Sequence, residues 1–206
     1  MGVVTGAPAA PDRLATAPDT VRLFVAIPLP PSVRERLHEA AVPLREAVVA
    51  AWTPADRLHL TVKFLGATDA ARVPAIGAAI EHAVQRHHGV PLDLRGAGVF
   101  PTLRRPRVVW AGVEPASRLE LMQHDVELAC AELGFPLEGR TFRPHVTLGR
   151  LRATPEGEGL RALARAMRRF AFEWRGEVSA VDLMASTLHP GGSRYRCLVS
   201  VPVRAR

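Results

Sequence analysis

The pattern His-apolar-Thr-apolar occurs twice in this chain, as His59-Leu60-Thr61-Val62 and as His145-Val146-Thr147-Leu148, each time inside a run of strand character. Side chains alternate between the two faces of a strand. Each copy therefore sets one imidazole and one hydroxyl on one face and two apolar residues on the other. The chain is constrained to a fold in which two strands, 86 positions apart (145 − 59), each bury one face and leave the other lining something polar. If the open faces meet, two histidines and two threonines share one cleft. That set can hold a phosphodiester and move protons on both sides of it.

The rest of the chain supplies elements that build such a cleft. Residues 1–20 are rich in Ala and Pro and lack the basic start and continuous apolar core of a secretory signal, so they read as a disordered leader. A single bilobal domain is expected over 21–206. It opens with the apolar strand Leu23 to Ile27, stopped by Pro28, Pro30 and Pro31. A helix is predicted from Pro31 or Ser32 to about Ala51, kinked at Pro43. The first motif strand covers 58–65, and a helix over about 70–88 stops at Gly89. Strands over about 91–100 and 106–113 flank an arginine-rich loop, and a helix over about 116–133 ends at Gly134. The second motif strand spans 144–150, a helix about 155–169, and two strand runs, 171–187 and 194–203, close the chain as a hairpin.

The order is strand, helix, strand, helix, two strands, helix, strand, helix, two strands. Each motif strand sits at a matching place in it, which is the mark of an internal duplication. The expected fold is α+β: two pseudo-symmetric lobes, antiparallel sheets lining a central cleft and helices packed outside.

The 206 residues are 48% hydrophobic, enough for a buried core, and carry a net charge of +7. Lys63 is the only lysine, so arginine carries nearly all the positive charge. Guanidinium groups match phosphate geometry, and an arginine-rich composition bias gives the same count. Cys130 and Cys197 fit no metal spacing and are expected to be buried, reduced thiols in a cytoplasmic protein. No apolar run is long enough to span a bilayer. No Gly-rich phosphate loop and no nucleophilic triad motif is present.

Several further residues are candidates. Phe24, Phe100 and Tyr195 offer aromatic surface for a base, and Arg105, in the loop with Arg104 and Arg107, offers charge to a polyanion. Lys63 shares the parity of His59 and is expected either at the groove edge or as a solvated strand end. Arg150 has the opposite parity to His145, so strict alternation points it away from the cleft unless Gly149 permits a bulge. Neither motif brings a carboxylate or a third histidine, which leaves metal-assisted hydrolysis without a visible ligand set. A non-catalytic RNA-binding protein using only the basic groove is the reading from a different class.

The residues from Arg22 to Val203 resemble the two-histidine phosphoesterases, and within them the bacterial and archaeal RNA 2′,3′-cyclic phosphodiesterases, also called 2′-5′ RNA ligases. The resemblance rests on both motifs with their flanks, on Gly98-Val99-Phe100-Pro101 with Arg105 to Trp110, and on Leu183 to Leu188 with Gly192 to Tyr195. It implies opening of a terminal 2′,3′-cyclic phosphate on RNA to a 2′-phosphate, with reversible 2′-5′ ligation. It implies His59 as proton donor, His145 as proton acceptor, and Thr61, Thr147 and Arg150 at the phosphate. The two motifs are nearly equivalent, so the residues themselves do not tell donor from acceptor. The resemblance implies no metal, cofactor, membrane or obligate protein partner, and a monomer. Relatives that act on small cyclic nucleotides or 2′-5′ oligonucleotides are the alternative within the same superfamily.

Overall fold

Apolar runs punctuated by prolines and glycines assemble here into one open antiparallel sheet with helices on its outer face. The structure, a computed structural model, describes residues 20–189 and 192–206. The strands are β1 (Thr20–Pro28), β2 (Ala50–Trp52), β3 (His59–Asp69), β4 (Leu94–Thr102), β5 (Arg105–Val113), β6 (His145–Leu151), β7 (Glu173–Trp174), β8 (Ala180–His189) and β9 (Gly192–Pro202). The helices are α1 (Pro31–Ala40), α2 (Val42–Ala47), α3 (Val73–Val84), α4 (Ser117–Glu132) and α5 (Gly157–Arg169). The order across the sheet is β7-β4-β5-β6-β3-β1-β8-β9, with β2 added beside β6. The motif strands β3 and β6 are therefore central neighbours, and each leads out into its own lobe.

The two lobes meet at one narrow seam. β3 and β6 share a single register pair, Leu60 opposite Val146, and both side chains are fully buried on the helix-covered face. Antiparallel pairing at that point brings His59 level with Thr147 and Thr61 level with His145.

A β-bulge follows each motif at the same place. On β3, Thr61 lies opposite Ala26 and Lys63 opposite Val25, so Val62 is left unpaired. On β6, Thr147 lies opposite Trp110 and Gly149 opposite Val109, so Leu148 is left unpaired. An extra residue resets side-chain parity. The burial of the two strands then matches position by position: after the alternating motif come two consecutive buried residues, an exposed one and a buried one.

The bulge corrects the expectation for Lys63. Instead of reaching the groove edge or solvent, Lys63 turns inward, buried at 5% exposure. Its Nζ donates to Glu127 Oε1 of α4 at 2.5 Å and to the Pro136 carbonyl at 2.8 Å. The Glu127 carboxylate also accepts from the Glu138 backbone N–H at 2.6 Å. A buried ammonium is tolerable because its partner is charged and the pair is further hydrogen-bonded.

Other expectations shift locally. The single helix to Ala51 is two helices and a strand. Pro43 falls in the first turn of α2, where its missing N–H costs nothing, rather than kinking a helix interior. Val48 is extended, and Trp52 of β2 lies over Gly149, where a Cβ would stand 2.6 Å from the ring. The run 171–187 divides into the short edge strand β7 and the long strand β8. Cys130 is buried, with its thiol pushed up to about 11 by desolvation, but Cys197 is exposed. Leu198 is left unpaired between the pairs Met184–Cys197 and Leu183–Val199, and this bulge takes Cys197 out of step with buried Val201 and onto the cleft face. The expected leader lies outside the described residues except for Thr20, which opens β1.

Candidate active site

The cleft face of the seam carries His59 and Thr61 from β3 and His145 and Thr147 from β6, all four half-buried. Their apolar neighbours Leu60, Val62, Val146 and Leu148 are buried on the other side and fix the strands. Each histidine thus has one threonine two residues along its own strand and the second across the seam.

The two imidazoles are held in the same way. Nδ1–H of His59 donates to the Arg57 carbonyl at 2.7 Å, and Nδ1–H of His145 donates to the Arg143 carbonyl at 2.7 Å. A carbonyl can only accept, so both rings keep the proton on Nδ1 and leave Nε2 for chemistry. The acceptor in each case is the residue two before the histidine, a role carried by backbone and invisible to any reading of side-chain types.

Burial is the main influence on both titrations. Desolvation lowers the pKa of His59 below its usual value, the bond to the Arg57 carbonyl opposes this, and the nearby His145 lowers it further. His145 is likewise lowered chiefly by desolvation, is raised by the Arg143 carbonyl, and is lowered by the charge of Arg150. The charge of a protonated His145 disfavours protonation of His59, so the two rings resist being charged together. One neutral ring and one charged ring is the state in which a general base faces a general acid.

Aromatic rings wall each histidine. His59 packs between Phe24 (ring centroids 5.1 Å apart) and Tyr195 (5.4 Å, edge-on). His145 packs edge-on against Phe100 at 4.9 Å, with Trp110 behind it at 6.4 Å. Gly98 lets the Trp110 ring lie close, since a Cβ there would collide with it. Phe24 is only 4% exposed, so it supports His59 from beneath rather than offering a free face to a base. Tyr195 is 36% exposed and keeps an open edge.

The bulge at Leu148 settles the direction of Arg150. It is exposed on the same side as His145 and Thr147, and its charge is felt by His145. The equivalent position on β3 is Phe64, 69% exposed and 6.3 Å from Phe24. Phe64 was not singled out from the sequence. Setting the motifs one above the other, five residues after each histidine, would have found it.

Arg105 stands elsewhere. With Arg104 and Arg107 it borders a cavity of about 480 Å³ against Thr154 to Gly157 and Leu160, which includes neither histidine. Among the described residues, no group of three or more His, Cys, Asp or Glu side chains stands together to hold a metal ion.

Residues 28–189 match the family model of the 2′-5′ RNA ligase superfamily. The chain belongs to that superfamily. RNA 2′,3′-cyclic phosphodiesterase of Thermotoga maritima is 31% identical, over 86% of this chain and 93% of that protein. The same-named protein of Thermus thermophilus is 32% identical, over 89% and 91%. Among solved structures, E. coli LigT complexed with 3′-AMP is 29% identical, with a TM-score of 0.70 over 89% of this chain and 98% of that one. A second solved structure, the protein TT0787 of Thermus thermophilus, is also 29% identical and gives a TM-score of 0.74 over 90% and 99%. The superfamily is thus that of the expected resemblance, and its solved members share the bilobal α+β fold.

Proposed function

We propose that this protein opens terminal 2′,3′-cyclic phosphates on RNA, leaving a 2′-phosphomonoester, through a metal-independent reaction run by His59 and His145. The observation that carries the reading is the pair of imidazoles flanking one seam, each with Nδ1 fixed on a carbonyl and Nε2 free. The names of the relatives support the substrate class.

Neutral His145 accepts a proton from water at Nε2 as the water oxygen attacks phosphorus. The P–O3′ bond breaks in line with that attack. His59, protonated, gives its Nε2 proton to the departing O3′. Thr61 and Thr147 donate to the non-bridging oxygens as negative charge gathers there, and Arg150 offsets that charge. A 5′-hydroxyl in place of water forms a 2′-5′ linkage by the same displacement. The chain works as a monomer in the cytoplasm in this reading, without a cofactor; no helix among the described residues is long and apolar enough to cross a membrane.

The test is product analysis on an RNA ending in a 2′,3′-cyclic phosphate with EDTA present. The 2′-phosphate is expected, with kcat reduced about 10²–10⁴-fold in His59→Ala and in His145→Ala. A 3′-phosphate product, loss of activity to the chelator, or full activity in either variant overturns the corresponding part of the reading. RNA binding without any product would leave the non-catalytic alternative.

A further inference from the structure

A cavity of about 470 Å³ opens directly beside His59 and extends along the cleft face of β1, β8 and β9, away from the seam. That volume is ample for a nucleotide. The reaction above uses only its His59 edge, since neither His145 nor either threonine borders it. Three guanidinium groups do: Arg34 of α1, Arg57 of the 3₁₀ turn at Ala55–Arg57, and Arg194 of β9.

Each guanidinium is committed only in part. Arg34 Nη1 donates to the Asp56 carbonyl at 2.8 Å, while its Nε is buried with no partner among the described residues. Arg57 Nη1 donates to the Ser193 carbonyl at 2.7 Å, tying the tip of the β8–β9 hairpin to the segment that carries His59. Arg194 is exposed. Asp56 and Asp182 also border the cavity. The Asp182 carboxylate accepts from Ser200 Oγ at 2.6 Å, so its remaining acceptor capacity suits a ribose hydroxyl or a base N–H. Three cations against two carboxylates leave the cavity positive, and guanidinium N–H groups that the protein does not use suit phosphate oxygens.

In-line displacement gives this cavity a place on the substrate. If O3′ leaves toward His59, the ribose that carries it lies on the His59 side, and water comes from the His145 side. The phosphodiester on the 5′ side of that ribose then falls at the arginines. We infer that this cavity binds the phosphate 5′ to the terminal nucleotide through Arg34, Arg57 and Arg194, so that an oligonucleotide end is preferred to a lone nucleoside 2′,3′-cyclic phosphate. The inference rests on the proposed reaction, with His59 on the leaving-group side.

The experiment compares kcat/KM for adenosine 2′,3′-cyclic phosphate with that for the same molecule carrying a 5′-phosphate. In the wild-type protein the 5′-phosphate is expected to raise kcat/KM by about tenfold or more, the worth of one added charge-assisted contact. Arg194→Ala and Arg34→Ala are each expected to lower that ratio, and the double variant to bring it near one. The ratio is taken within each protein, so an unfolded fraction cancels. Arg57 is left intact because its guanidinium ties the β8–β9 hairpin to the segment that carries His59. A wild-type ratio near one, a ratio unmoved in both variants, or an equal fall in Arg105→Ala, which would mark general charge attraction, overturns the inference. Hydrolysis of neither substrate by the wild-type protein overturns instead the reaction on which it rests.

Discussion

At the scale of single residues, the two histidines make contrary demands. The proposed reaction needs one charged and the other neutral, while burial depresses both pKa values below the ordinary 6.5. As pH rises through that lowered range, His59 loses the proton it donates in the proposed reaction. The kcat/KM profile for a cyclic phosphate is therefore expected to be bell-shaped, with its maximum on the acid side of pH 6.5. Arg150 lowers the pKa of His145, so Arg150→Met is expected to move the acidic limb of that profile to higher pH while reducing kcat/KM. The same burial affects stability. The unfolded chain takes up protons on these histidines at a higher pH than the folded one does, so their contribution is intact above pH 6.5 and is lost as pH falls below it. Thermal midpoints at pH 7.5 and 5.5 are expected to differ more for the wild type than for a His59→Gln, His145→Gln double variant.

At the scale of elements, the alternation of each motif was legible from residue types, because a strand with one apolar face has only one way to sit on a core. That placed His59, Thr61, His145 and Thr147 on one side without coordinates. The alternation failed one residue later, at the bulges. A bulge is decided by the partner strand, and the partners of β3 and β6 lie far along the chain. Lys63 followed the simple parity on paper and broke it in the fold, and the reason lies 64 residues away in Glu127. Phe64 was overlooked for the same cause, while Arg150 was placed at the phosphate only by the resemblance, against its simple parity. The ion pair carries its own prediction. Lys63→Met leaves the Glu127 carboxylate buried without its cation and is expected to cost about 3–5 kcal/mol in chemical denaturation. Adding Glu127→Leu is expected to recover most of that loss. A mild effect of Lys63→Met alone would show that Glu127 reaches water.

At the scale of the whole molecule, the duplicated order and the antiparallel architecture were readable, while the continuity of the sheet was not. Two separate sheets and one sheet joined at a single Leu60–Val146 contact have the same sequence signature. A chain with net charge +7 is also expected to draw polyanions over its whole surface. For an oligonucleotide ending in a cyclic phosphate, KM is expected to climb steeply between 50 and 200 mM salt, by roughly tenfold or more depending on the phosphates engaged. For a nucleoside 2′,3′-cyclic phosphate the rise should be shallow. Equal slopes for the two would mean that only the terminal phosphate is held.

Phe64 and Arg150 stand at corresponding addresses on opposite banks of the cleft. Had the same residue stood at both, a substrate could lie either way round, and the two histidines could exchange jobs from one turnover to the next. A hydrocarbon ring facing a cation removes that ambiguity. The halves are built alike, but what enters between them meets a left and a right.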